Sequence, residues 1–402
     1  QTLVEGVGQL YGIPITTDTE ADGVDGARPD IAIMRTDGAQ PELLGWVELK
    51  KLYKRLPGLH GYTKNGEGQV RGWDINAGDF RDGSAPTKHD TEQWEVLGEL
   101  PNLLYCNGLG LARYESGQLV DSTDSDALEE PIEPTLSTED IRAGFERMLR
   151  DCIRWEPTPP RTMRQLAAGL APLTRLLKIR LVAALKAGDS GTLRNKAAWT
   201  TALISGASDD DFADGYAQAV VFAVLFARLD GAAAPLSLES IRQTIEAEHS
   251  LLYQVVKQLG DAGGDPGIND AMHHVFRYVG VVDNEHLKRR DENPWHDFYE
   301  YFVDQYDPAR RNDTGVYFTP KAIVDLQVEQ CHEALLDMGF ADSFASEGVQ
   351  VIDPATGSGT YLLSVIERTR EHLLDRYGPG IGDHPDFARQ LGRNIHAMEI
   401  GV

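Results

Sequence analysis

The sequence predicts a multidomain α/β protein. It has a small mixed α/β part at the N-terminus (1–134), an all-α connector (135–310) and the start of a doubly wound parallel sheet (311–402). Three observations predict this. The chain has 402 residues, more than one core usually organises, because domains cluster near roughly 100–150 residues. Its middle third carries apolar residues at helical spacing, whereas short runs with a period of two lie before it. Near the C-terminus an apolar run, Val351-Ile352-Asp353, meets a Gly357-Ser358-Gly359 turn and then an amphipathic stretch from Tyr361 to Ile366. That is strand, turn and helix in the order of a nucleotide-type cofactor site.

In the N-terminal part, Pro29-Asp30-Ile31-Ala32-Ile33 reads as a short strand that starts with an acid, and Gly45-Trp46-Val47-Glu48-Leu49-Lys50 reads as another. The period of two puts Glu48 and Lys50 on one face and Val47 and Leu49 on the core face. Asp30 and Glu48 can together hold a hard divalent cation such as Mg2+. Such a cation lowers the pKa of a bound water and stabilises charge at an attacked phosphate. Lys50 can orient the water or neutralise the phosphate. Glu5, on an expected first helix, is a further candidate acid. A helix through Glu92-Gln93-Trp94 leads into a buried strand from Pro101 to Gly108. From the residues alone, a solvent-facing Glu48–Lys50 ion pair on an edge strand remains open.

This pattern, Pro29-Asp30 followed by Glu48-Leu49-Lys50, resembles the PD-(D/E)xK nuclease superfamily. The resemblance implies a nuclease with Asp30, Glu48, Lys50 and Gln93 as catalytic residues, Asp30 and Glu48 as metal ligands, and Mg2+ as the metal.

The connector should begin at a helix capped by Ser137 or Thr138 and running through Trp155. Further helices are expected at about 162–186, 212–229, 238–259, 268–282 and 297–306. Pro157-Thr158-Pro159-Pro160 and the glycine-rich 260–267 punctuate them. His273-His274 is an unpromising metal site, since helical neighbours do not face each other. Asn293-Pro294-Trp295 reads as a helix start, with Asn293 as cap and Pro294 in the first turn. The acidic runs Asp209-Asp210-Asp211 and 121–130 are expected to be solvated loops.

The C-terminal turn excludes phosphate ligands by what it lacks. No lysine follows its glycines, and Leu362 stands where a dinucleotide site has a third glycine. Asp353-Pro354-Ala355-Thr356-Gly357-Ser358-Gly359-Thr360 resembles motif I of the N6-adenine DNA methyltransferases. Thr314-Gly315-Val316-Tyr317-Phe318-Thr319-Pro320 resembles their motif X, and Asn394-Ile395-His396-Ala397-Met398-Glu399 their second strand with its terminal acid. The resemblance implies S-adenosylmethionine as cofactor. Asp353 would meet its cationic amino group, Ala355, Gly357 and Gly359 would cradle it, Glu399 would take the ribose hydroxyls, and Tyr317, Thr319 and Pro320 would line the methionine end.

Together the parts resemble single-chain restriction–modification enzymes of the type IIG and type ISP kinds. No phosphate-binding Walker A motif occurs, so a type IIG-like layout without a motor is expected. The implied activity is cleavage of unmodified double-stranded DNA and, in the intact protein, methylation of adenine N6. The alternatives are a defence methyltransferase with a degenerate nuclease domain, and a non-catalytic DNA-binding subunit with S-adenosylmethionine as effector. Other subunits of a defence system are admissible partners. The chain is expected to be partial, with the catalytic tetrapeptide and target-recognition domain beyond Val402.

The formal net charge of −25 argues against bulk nonspecific affinity for DNA and leaves room for a local basic groove, with Lys50-Lys51-Leu52-Tyr53-Lys54-Arg55 the densest basic cluster. The 3 cysteines lie far apart, so neither a zinc site nor a disulfide framework is expected. With no signal peptide or membrane span visible in the sequence, a bacterial cytoplasmic location is expected.

Overall fold

The computed structural model describes residues 2–19, 29–38, 41–51, 56–57, 87–107, 110–123, 138–202, 206–245, 253, 256–257, 265–283, 287, 294–307, 319–357, 359–379 and 385–398. They fall into two compact units, 1–290 and 291–402.

The first unit opens as α-β-β-β-α-β: α1 (Thr2–Leu10), β1 (Ile15–Thr19), β2 (Ile31–Arg35), β3 (Glu42–Leu49), α2 (Lys88–Leu97) and β4 (Leu103–Cys106). β5 (Leu111–Glu115) and β6 (Gln118–Ser122) complete a six-stranded sheet ordered β1 to β6. All neighbouring strands are antiparallel except β3 and β4, which run parallel and are joined through α2. One face of the sheet packs Ile31, Ile33, Leu44 and Val47 against Val4 and Val7 of α1 and Met148 and Leu149 of α3 (Thr138–Ile153). On α2, Trp94 lies edge-on to Tyr105 and Tyr114 at 5.6 and 5.0 Å, which fixes the helix to the sheet.

A bulge in β3 sets the facing of its C-terminal half. Ile33 pairs with Gly45 and Met34 with Leu43, so Leu44 is the extra residue. Its carbonyl accepts from Asn102 Nδ2 at 2.8 Å, and the same amide bonds Cys152 O of α3 at 2.9 Å. Gly45 permits this closeness, because a Cβ there would sit 2.5 Å from Asn102 Nδ2.

After α3, the first unit continues, among the described residues, with α4 (Met163–Lys186), α5 (Ser190–Ala202), α6 (Asp209–Leu229), α7 (Leu238–Ile245) and α8 (Pro266–Gly280). α6 is long and apolar enough to cross a membrane by length and composition, but much of its apolar surface, including Phe212, Tyr216, Val220 and Val224, is buried inside the unit. α5 has no counterpart in the sequence reading, since its apolar residues form no stripe. Asp209-Asp210-Asp211 is the first turn of α6 rather than a loop. Asp211 closes a capping box with Ser208, and Asp210 and Asp209 pair with Lys178 and Lys196. Carboxylates there sit at the positive end of the helix dipole. His273 Nε2 accepts from Leu43 N at 3.3 Å, and His274 is buried. Arg277 of α8 donates to Leu43 O and Trp155 O and pairs with Glu42 and Glu156, tying helical core to sheet.

The second unit holds α9 (Pro294–Tyr306), α10 (Lys321–Asp337), a 3-10 turn (Ser343–Ala345), β7 (Val351–Asp353), α11 (Thr360–Tyr377), α12 (Pro385–Asn394) and β8 (Ile395–Ala397). β7 and β8 are parallel, with Asp353 opposite Ala397. Val324, Val328, Phe344, Val365 and Leu391 form the core beneath them. Ser137, Asn293, residues 52–55 of the basic cluster and residues 124–130 lie outside the described residues.

Candidate functional site

The N-terminal site is built where β3 ends beside β4 and α2. Glu48 pairs in register with Tyr105 of β4, on the sheet face that α2 covers. Glu48 is 4% exposed and accepts from Gln93 Nε2 at 2.8 Å. Lys50 Nζ lies 3.1 Å from Glu48 Oε1, donates to Gln93 Oε1 and lies 3.5 Å from Asp90 Oδ1. Asp30, just before β2, accepts from Leu49 N at 2.6 Å and is exposed. The four residues expected from the sequence therefore converge. An ion pair on a solvated edge is not what forms, because β3 is an inner strand and the pair is buried.

Electrostatics mark the same place. Burial raises the Glu48 carboxyl above its ordinary value; Lys50 opposes the rise and Asp30 adds to it. Burial pushes the Tyr105 phenol well up, reinforced by Glu48, Asp90 and Asp30. Three carboxylates thus act on one ring. Among the described residues no group of three or more His, Cys, Asp and Glu side chains forms a ready metal cage. Asp30 and Glu48 provide a carboxylate pair at a strand end, with Lys50 now bonded to one of them.

Two expectations differ. Val47 is in the core, but Leu49 is 50% exposed, because its position at the strand end lies beyond the cover of α1 and α3. Glu5 is held by β1: its carboxylate accepts from Thr17 N at 3.1 Å and Thr17 Oγ1 at 2.7 Å, bonds that lower its pKa. Asp90 was missed. Its only sequence signal, Thr87-x-x-Asp90, reads as a helix cap, and a cap it also is.

The C-terminal turn joins β7 to α11. Asp353 O accepts from Met398 N at 2.8 Å, and Thr356 N donates to Met398 O at 3.0 Å, so the turn is tied to the end of β8. Asp353 Oδ1 accepts from Ala355 N at 3.2 Å, while Oδ2 is buried without a hydrogen-bond partner. Gly357 and Gly359 have φ of 52° and 80°, the left-handed region that glycine tolerates best. A Cβ on Gly359 would meet nothing nearer than Thr356 Cγ2 at 4.0 Å, so the constraint there is conformational. Thr319 is half-buried and Pro320 exposed, just before α10, whereas Tyr317 and Glu399 lie outside the described residues. A cavity of about 290 Å³ adjoins Asp353; Gln327, Cys331, Phe344 and Tyr361 wall it, so it neighbours the glycine turn without including it.

Residues 290–385 match the N-6 DNA Methylase family model. No curated protein matches the chain. Among solved structures, the DrdV–DNA complex determined by cryoEM is 18% identical, covering 98% of this chain and 36% of that one, with a TM-score of 0.37. The ATP-dependent type ISP restriction-modification enzyme LlaBIII bound to DNA is 16% identical, covering 66% and 17%, with a TM-score of 0.41. A nuclease-deletion mutant of the type ISP enzyme LlaGI in complex with a DNA substrate mimic is 17% identical, covering 64% and 20%, with a TM-score of 0.38. The chain thus spans about a third or less of the length of these structures. At such identities and scores these likenesses carry no weight for function. What the family match establishes is that the C-terminal part of the chain carries an N-6 DNA methylase region.

Proposed function

We propose that this chain is the nuclease and cofactor-binding portion of a restriction–modification protein. It would hydrolyse phosphodiesters of unmodified double-stranded DNA at the end of β3 and bind S-adenosylmethionine at the turn after β7. The observation that carries the nuclease reading is the buried Gln93–Glu48–Lys50 network beside Asp30. A structural ion pair does not need a second carboxylate at the same strand end, nor an amide clamping the first.

The donor set fits a hard divalent cation: Glu48 and Asp30 offer carboxylate oxygens, and their mutual repulsion helps to raise the Glu48 pKa, which a cation would relieve. Bound there, Mg2+ would supply water activation and charge stabilisation. Gln93 holds Glu48 in one orientation. Lys50 presents an ammonium to a phosphate brought against the strand end. The lining of β3 and β4 keeps that ammonium out of bulk water, which strengthens its field.

The methylase region fits S-adenosylmethionine by two features, the buried, unpartnered Asp353 Oδ2 and the left-handed glycines. The amino group of the methionine moiety would complement Asp353, and the glycines would let backbone approach the ligand. The cofactor supplies the methyl group. The domain limits 1–134, 135–310 and 311–402 remain part of this proposal.

Cleavage of unmodified DNA with Mg2+, compared between wild type, Glu48→Ala and Lys50→Ala, tests the first site. Loss in both variants is expected; equal cleavage in all three would overturn the assignment. Calorimetry with S-adenosylmethionine tests the second: wild-type affinity in Asp353→Ala would count against this placement of the cofactor.

A further inference from the structure

Lys50 is held from two sides, and one of them has no part in binding metal. Its side chain is 9% exposed and reaches Glu48 from its own strand and Gln93 and Asp90 from α2. Asp90 and Gln93 are three residues apart and so share one face of the helix. Asp90 Oδ2 accepts from Thr87 N at 2.8 Å and Thr87 Oγ1 at 2.7 Å, which fixes the carboxylate in place. Its other oxygen, Oδ1, lies 3.5 Å from the ammonium. Capping residues usually stand in solvent, but Asp90 is only 7% exposed. A buried carboxylate at a helix N-terminus is stabilised there by the helix dipole, so it can stay charged beside a lysine.

We infer that Asp90 is a positioning residue, which holds the Lys50 ammonium at the reacting phosphate once a divalent cation has engaged Glu48. The inference rests on the nuclease reading above. Glu48, if it held a cation, would offer it the carboxylate that now faces Lys50. Without a second anion, the ammonium would be repelled by the cation and swing away on its flexible stem. Asp90, held by two bonds from Thr87 on its own helix, keeps its position when Glu48 changes partner. Gln93 bonds both Glu48 and Lys50, so it cannot hold Lys50 independently of Glu48.

The test uses the full chain and three variants. Asp90→Asn keeps the side-chain shape and an acceptor for Thr87 but removes the charge. Thr87→Val weakens the cap and leaves the carboxylate. Lys50→Ala reports on the nuclease reading itself. Two readouts are taken: single-turnover cleavage of unmodified DNA with Mg2+, and acylation of Lys50 by an amine-reactive ester, measured by peptide mass spectrometry. In Asp90→Asn, cleavage should fall about tenfold or more, as misplaced catalytic groups do, with Mg2+ half-saturation unchanged. Lys50 acylation should rise severalfold in the same variant. Thr87→Val keeps the Thr87 N bond to Asp90 and loses only the hydroxyl bond, so it should lower the melting temperature and change cleavage and acylation less than Asp90→Asn does. Wild-type cleavage and acylation in Asp90→Asn would overturn the inference, as would losses in Thr87→Val that match those in Asp90→Asn, for then Asp90 is a cap alone. Equal cleavage by wild type and Lys50→Ala would bring down the nuclease reading instead. Acylation separates the two failures, because it reports whether Asp90 holds Lys50 without requiring cleavage.

Discussion

Asn102 should be the most costly polar residue to lose near the site, although it touches no candidate catalytic group. It is fully buried, and its amide donates to Leu44 O and Cys152 O. Leu44 is the bulged residue of β3, so its carbonyl is left out of the ladder with β2. Asn102→Leu would leave Leu44 O without this bond, at about 1–3 kcal/mol, and Cys152 O with its bond from Trp155 N, at about 0.5–1.5 kcal/mol. Some relaxation is expected, so a loss of about 2–4 kcal/mol is the working figure. At roughly 2 °C per kcal/mol for a unit of this size, the melting temperature should drop by about 4–8 °C. Asn102→Asp should be worse, since it turns a negatively charged acceptor toward two carbonyls. Tryptophan fluorescence during urea unfolding is the assay, because all the tryptophans except Trp295 fall within residues 1–290. A loss under about 1 kcal/mol in Asn102→Leu, or an Asp variant as stable as wild type, would refute the claim that Asn102 satisfies the bulge.

Arg277→Lys should destabilise the same unit, because a lysine cannot serve Leu43 O, Trp155 O, Glu42 and Glu156 together; a thermal melt equal to wild type would contradict this. Gly359→Ala should weaken S-adenosylmethionine binding by about 1 kcal/mol through left-handed strain, with little steric clash, and calorimetry would show it. The apparent affinity for Mg2+ should fall on acidification. The sign follows from Glu48: a proton competes with the cation, and the raised pKa makes that competition begin at a higher pH than for an ordinary glutamate at 4.5. Mg2+ titrations of cleavage at several pH values check this, and a midpoint at or below the ordinary value would refute it.

Much of the first site was legible because its residues obey local rules. The period of two sets Glu48 and Lys50 on one face whatever the sheet becomes, and an acid before β2 must fall near the end of an antiparallel neighbour. The Gln93 position came from the resemblance to the nuclease superfamily, in which a helix precedes a buried strand that emerges at the site. What could not be read depends on partners distant in sequence. Nothing local makes Leu49 exposed, since cover by α1 and α3 stops short of it. Asp90 carries the signature of a cap, and only the approach of Lys50, forty residues earlier in the chain, gives it a second role. Glu5 is the converse case. An acid on the first helix was compatible with the site, but Thr17 on β1 offers it both a backbone and a hydroxyl donor, a stronger local bid than a distant carboxylate cluster.

The bulge ties these observations to function. In a regular β3 the side chains would alternate without interruption, and a one-residue slip in pairing would exchange the faces. With Leu44 inserted, Gly45 onward is offset against β2 by one residue relative to Glu42 and Leu43. Val47 then meets Ile31 across the ladder, and Glu48, one residue on, faces α2 and pairs in register with Tyr105. Were Leu44 instead paired with Ile33 in a regular ladder, every later residue of β3 would shift by one, and Glu48 and Lys50 would turn toward α1 and α3, into the apolar core of Val4, Val7 and Met148. Deleting Leu44 removes the extra residue and leaves Gly45 opposite Ile33 and Val47 opposite Ile31, so Glu48 should still face α2 and the proposed Glu48-dependent cleavage should survive in the protein that folds. A Leu44 deletion that folds but has lost that cleavage would show that the bulge does more than absorb one residue.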